Sequence, residues 1–174
     1  MRVLKEKGFT FVEILIVMVV MGIMAAMVAP NFFNLLPNMR LRAAAREMYS
    51  SFQQAKMEAI KRNQNVVMVL APVTCAGLPN AVPSPGGSYL VFVDDGSGGV
   101  LAGNSIQDGA EPTLVTQTMP ANTAFCAETF NGTTTGFTPK GLVVNSNIGS
   151  ATLNNDNNRS YQISLTIAGG IRLQ

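Results

Sequence analysis

Glu13 is the only charged residue in an apolar run from Phe9 to Ala29, where Thr10 is the one other polar interruption. A carboxylate at that place is expensive to leave alone, which makes ion pairing its natural chemistry. Cys75 and Cys126 offer a second kind of chemistry. Placed outside the cytoplasm they would form one disulfide, whose loop closure stabilises a fold by about 4 kcal/mol; the alternative is two buried thiols. Asp94, Asp95, Asp108 and Glu111 invite a calcium reading, since hard cations want several oxygen ligands. Their spacing does not match an EF-hand loop, so solvated acids in Gly-rich turns are the plainer reading and no metal is expected. There is no histidine, and no lysine, cysteine or serine lies in a nucleophile motif. No Gly-rich phosphate loop opens a helix. The chain is therefore expected to be neither an enzyme nor a cofactor carrier.

The run that holds Glu13 must be a helix of roughly 30 Å, enough to cross a bilayer. Arg2, Lys5 and Lys7 precede it, with Gly8 at the junction. A secretory signal would have a shorter apolar region and a small-residue cleavage site, whereas here the Ala-rich end meets Pro30. An uncleaved signal anchor is a second reading, with the basic leader inside and the rest outward. Pro30 lacks an N–H and clashes with the preceding turn, so a kink is expected there, helped by Gly22.

From Arg40 the pattern turns amphipathic. Leu41, Ala45, Met48, Phe52, Ala55 and Ala59 form one helical stripe, with Ala44 and Ile60 beside it. The stripe should pack on a sheet, and Asn63 should end the helix. Arg40, Arg42, Arg46, Lys56, Lys61 and Arg62 face only Glu47 and Glu58, so a basic stem carries a mildly acidic head. Beyond Asn65 the composition shifts to Val, Thr, Gly, Pro and Asn. Strands are expected at Val66–Leu70, Tyr89–Val93, Leu114–Thr118, Thr123–Cys126, Leu142–Val144, Ala151–Leu153, Tyr161–Ile167 and Gly170–Leu173. Gly169-Gly170 marks a tight turn, and Thr74–Gly87 is a Pro/Gly loop. At 174 residues and 47% apolar, the chain suffices for one packed domain plus an anchor. The expected class is α+β, a long N-terminal helix packed on a C-terminal antiparallel β domain.

Lys7-Gly8-Phe9-Thr10-Phe11-Val12-Glu13 ahead of an apolar run resembles the leader of type IV prepilins and type II secretion pseudopilins. The resemblance implies cleavage after Gly8 by a prepilin peptidase and N-methylation of Phe9. It divides the chain into leader 1–8, membrane and fibre-core helix 9–29, helical stem 30–63 and β-rich head 64–174. Phe9 would then carry a cationic amine, with Glu13 one helical turn away on the same face. In staggered subunits one carboxylate could pair with the neighbour's amine, a registration device, because losing either partner strands a buried charge. The plain alternative is a carboxylate at headgroup level with no role.

Three head segments resemble the GspH/FimT type of minor pilin and pseudopilin: Tyr89–Asp94, Gly136-Phe137-Thr138-Pro139-Lys140-Gly141, and Ile163-Ser164-Leu165 leading to Gly169-Gly170-Ile171-Arg172. The implied protein is a structural subunit of a secretion pseudopilus or type IV pilus, a minor tip component rather than a major one. Its implied partners are other pilins, the prepilin peptidase, an inner-membrane assembly platform, a cytoplasmic ATPase and, before assembly, lipid. The implied location is the inner membrane with the head in the periplasm. The rival expectation is a binding module for DNA or another ligand, as in natural transformation or adhesion, with Arg40, Arg42, Arg46 and Arg172 as its basic candidates. A single Arg172 after Gly170-Ile171 is a sparse tail for that purpose.

Overall fold

The computed structural model describes residues 9–75, 82, 86–99, 101–108 and 110–174, with the side chains of 28–34 left aside. The leader and much of the Thr74–Gly87 loop lie outside the described residues. One helix, α1 (Phe11–Arg62), precedes eight strands: β1 (Asn65–Ala71), β2 (Ser88–Asp94), β3 (Thr113–Thr118), β4 (Thr123–Glu128), β5 (Thr134–Phe137), β6 (Ser150–Asn155), β7 (Ser160–Leu165) and β8 (Ile171–Leu173). The chain divides into two compact units, Met1–Leu36 and Pro37–Gln174.

In the first unit every described side chain from Phe9 to Met27 is exposed. Phe9 stands 82% open and Leu15 50%. The helical assignment runs through Gly22 and Pro30; the kink expected at Pro30 falls among the side chains not described. Among the described residues no helix is long and apolar enough to cross a membrane. The described side chains of the apolar run stop at Met27, before the run itself ends at Ala29.

The second unit is an α+β domain. Two antiparallel four-stranded sheets have the orders β3-β2-β1-β5 and β4-β6-β7-β8. The stem stripe enters their core as its spacing requires: Leu41, Ala45, Met48, Phe52, Ala55 and Ala59 are all fully buried. All of these but Ala45 join Val66, Met68, Tyr89, Phe125, Phe137, Leu153 and Ile163 in one cluster. Ile60 is instead half exposed at the stripe's margin. The helix ends where Asn63 takes φ 55°, and the Gln64 N–H reaches back to the Ala59 carbonyl at 3.3 Å. An asparagine in that position tolerates the left-handed turn that closes a helix.

Two segments depart from expectation. Leu142–Val144 is not a strand: Val143 makes one isolated bridge to Phe137, and Val144–Ser146 is a short 3-10 turn. Asn145 and Ser146 adopt positive φ, which a strand cannot carry. The strand expected there is supplied earlier by β5, which pairs with β1 from Val66↔Phe137 to Val69↔Thr134. Gly141 and Gly169 explain part of the glycine pattern. A Cβ on Gly169 would stand 2.0 Å from the Gly141 carbonyl oxygen, so the loop after β5 and the β7–β8 turn meet backbone to backbone. Lys56 Nζ donates to the Gly169 carbonyl at 2.8 Å and ties that junction to α1.

Candidate assembly site

Helix α1 begins with a cap. Thr10 accepts the Glu13 backbone N–H on its Oγ1 at 3.2 Å and on its carbonyl at 3.1 Å. Thr10-Phe11-Val12-Glu13 has the spacing of a capping box, a threonine three residues before a glutamate. That spacing alone makes Thr10 legible in the sequence as a cap. The cap sets the rotation of the first turn. Phe9 and Glu13 then line one shallow depression of about 380 Å³ with Ile14, Val17, Met18 and Met21. Among the described residues the Glu13 carboxylate has no cationic partner, and the ion pairs lie elsewhere, from Glu58 to Lys61 and Arg62. Hydrogen bonding by Arg62 holds the Glu58 carboxyl below its ordinary range. Cleavage at Gly8 and the role of the leader fall outside the described residues.

The stem is fastened to the head along its length. At its start, Asn155, fully buried at the end of β6, donates from Nδ2 to Asn38 Oδ1 at 2.8 Å. Asn155 Oδ1 accepts the backbone N–H of Asn157 and of Arg159, which shapes the β6–β7 turn. Arg40 donates to Asn122 Oδ1 at 2.7 Å, and Asn122 donates to Asp156 at 2.6 Å. Midway, Ser51 Oγ lies 3.0 Å from the Tyr89 hydroxyl on β2, and burial pushes the tyrosine up to about 12. Of the basic residues considered for nucleic acid, Arg40 is thus engaged within the fold. Arg42 and Arg46 are exposed on the stem, and Arg172 is exposed on the edge strand β8.

Cys75 and Cys126 form a disulfide with a Cα–Cα distance of 5.4 Å. Its placement depends on a bulge: β4 pairs Phe125 with Leu153 and Ala127 with Thr152, leaving Cys126 as the extra residue. The Val73 N–H bonds to the Phe125 carbonyl beside it, so the chain leaving β1 is held against β4. The bridge therefore joins one sheet to the other.

The acidic residues are hydrogen-bond acceptors. Asp94, 1% exposed, takes the N–H of Gly103 at 2.5 Å and of Ser105 at 2.7 Å. Glu111 takes those of Gly96 and Asp108, each at 3.2 Å. Asp95 lies below the ordinary carboxylate range because the hydroxyl and backbone N–H of Ser97 both bond to it. Together they fold the β2–β3 connection back on the first sheet. Among the described residues no group of acids, cysteines or histidines is arranged to hold a metal.

The helix-on-sheets domain behind a capped, lone-carboxylate apolar helix defines a pilin-like protein, and comparison with known proteins gives its family. Residues 44–169 match the family model described as type II transport protein GspH, and residues 4–29 match the prokaryotic N-terminal methylation motif. The chain belongs to the GspH family. It is a structural subunit of a pilus or pseudopilus, and the methylation motif implies prepilin peptidase processing and membrane-anchored assembly with other pilins or pseudopilins. Among solved structures it is similar to the type IV minor pilin FimU of Pseudomonas aeruginosa, at 18% identity and TM-score 0.48, covering 77% of this chain and 87% of that one. It is also similar to the minor pseudopilin EpsH of the Vibrio cholerae type 2 secretion system, at 11% identity and TM-score 0.46, covering 78% and 96%. No curated protein sequence matches the chain.

Proposed function

We propose that this chain is a minor, sparsely used subunit that enters the fibre through its N-terminal helix, with Glu13 setting register against a neighbour's amine. The observation that carries this is the exposure of Phe9–Met27 on every side with one carboxylate among them. A helix that is apolar all round needs lipid or other helices around it. Both surroundings have a low dielectric, where an unpaired carboxylate is costly and a paired one orients its partner. Cleavage between Gly8 and Phe9 would create the cation one turn from Glu13, and N-methylation of Phe9 keeps it charged. The leader-bearing form would sit in the inner membrane with its head in the periplasm until assembly. Glu13→Ala should abolish incorporation into fibres while cleavage after Gly8 proceeds; normal incorporation of that variant would defeat the registration role.

A DNA-binding role has less support. Arg40 is engaged with Asn122, which leaves Arg42 and Arg46 on the stem and Arg172 on β8. A mobility shift near 50 mM salt tests it, because phosphate contacts strengthen as salt falls.

A further inference from the structure

The outer face of the first sheet holds a feature apart from the N-terminal helix. Val67 and Phe92 are paired across β1 and β2 and point away from the α1 side of the sheet, yet both are almost fully buried. The β2–β3 connection, pinned by Asp94, lies over this face. Beside it opens a cleft of about 380 Å³, walled by Ser105 on one side, Thr134 of β5 on another, and Val144–Ile148 on the third. That volume suits a small ligand.

Three observations restrict what could occupy it. Among the described residues no charged side chain lines the cleft. A phosphate, carboxylate or ammonium would lack the charged partner that such groups use for recognition. Next, the lining offers hydroxyls and amides with free capacity. Asn131, Asn145 and Ser146 are exposed at the mouth, whereas Ser105 Oγ is sealed from solvent. Finally, the wall is held in a conformation that costs energy. Ser105, Asn145 and Ser146 have φ of 62°, 51° and 54°, a region that non-glycine residues occupy only where the surroundings enforce it. At Asn145 and Ser146 the adjoining Asn147 enforces it, its amide bonding to the Asn131 N–H and carbonyl and to the Thr134 carbonyl; at Ser105 the Asp94 carboxylate holds the backbone N–H.

A hydroxyl can donate or accept, so a wall of hydroxyls and amides suits a ligand made of hydroxyls. Ile148 adds an exposed apolar surface against which the C–H face of a sugar ring can lie. An extended peptide fits less well. The β5 edge beside the cleft is already taken by the Phe137–Val143 bridge and by Asn147 Nδ2 donating to the Thr134 carbonyl, which disfavours strand addition there. We propose that this cleft binds one neutral sugar unit of a glycan. The proposal is independent of how the subunit is registered in the fibre.

The test is saturation-transfer NMR on the full chain in detergent micelles. Glucose, galactose, mannose and N-acetylglucosamine are the probes, and triglycine and inorganic phosphate are the comparators. At least one sugar should bind saturably, with a Kd on the order of millimolar, as expected for a small open site. Asn131→Ala and Asn145→Leu should each weaken it about fivefold or more, the cost of one or two lost hydrogen bonds. A silent result with all four sugars would overturn the proposal, as would undiminished binding in both variants or equal competition by triglycine. Thermal unfolding of both variants establishes that any loss of binding is local, and Asn145→Asp, which tolerates the same backbone conformation, supplies a variant that keeps the fold if Asn145→Leu does not.

Discussion

The two described halves of α1 are built from similar residues and treated oppositely. Leu15 in the first half is half exposed, while Leu41 in the second is fully buried. In the second half the polar residues fall on one side and the apolar stripe on the other, so the head's sheets complete the burial. In the first half apolar residues occupy all sides, and the exposed ones include Ile14, Val17, Met21 and Met24. No single neighbouring surface within a chain covers such a helix. The difference teaches that the amphipathic half is completed by its own fold, while the uniformly apolar half is left for the surroundings that the proposed assembly would supply.

The widest way to break that contrast is to loosen the domain that buries the second half. Replacing both Cys75 and Cys126 with serine opens a bridge spanning 51 residues. The head should lose about 4 kcal/mol, read as a lower midpoint in denaturant, and the first half should remain helical in detergent by circular dichroism. A sharper comparison uses one residue type twice. Leu41→Ala should cost about 3 kcal/mol of head stability, and Leu15→Ala almost none; equal losses would erase the distinction between the halves. The burial of Tyr89 gives a pH signature for the second half alone. The phenol ionises near 10 when unfolded and near 12 when folded. Stability is therefore intact below pH 10 and falls by about 2–3 kcal/mol as pH climbs toward 12, because the unfolded chain gives up its proton first. Tyr89→Phe should flatten that fall in alkaline unfolding titrations. The smallest effect belongs to the first half: Thr10→Val removes the cap and should cost about 1 kcal/mol of local helix stability, seen as faster amide exchange at Glu13.

What the sequence made legible was set by short spacing. The stripe from Leu41 to Ala59 follows helix periodicity, and Tyr89–Val93 is a dense β-former run, so both could be read locally and both stand in the structure. β5 could not be read that way, since Thr134–Phe137 is short and contains Gly136, whose value lies in close approach to β1. The roles of Asp94 and Glu111 were hidden for another reason. A carboxylate beside a Gly-rich turn looks the same whether it awaits a cation or accepts backbone N–H groups, and only the folded connection distinguishes them. The bond from Asn155 to Asn38 crosses 117 residues, far beyond any periodic signal. At the assembly site, Glu13 was conspicuous as a lone charge, whereas Thr10 looked like a minor interruption of an apolar run.

Asn38 also offers force along the helix a side route into the head, beside the covalent link from α1 to β1. A subunit in a fibre is pulled along its helix, and the first head contact described on that path is the side-chain bond to Asn155. Asn155 belongs to β6, an interior strand flanked by β4 and β7. Tension entering there is shared by two ladders of hydrogen bonds. From β4 it passes through Cys126 to Cys75, and so to the sheet that contains β1. The load is delivered to the middle of one sheet and carried covalently to the other, sparing the three-residue edge strand β8.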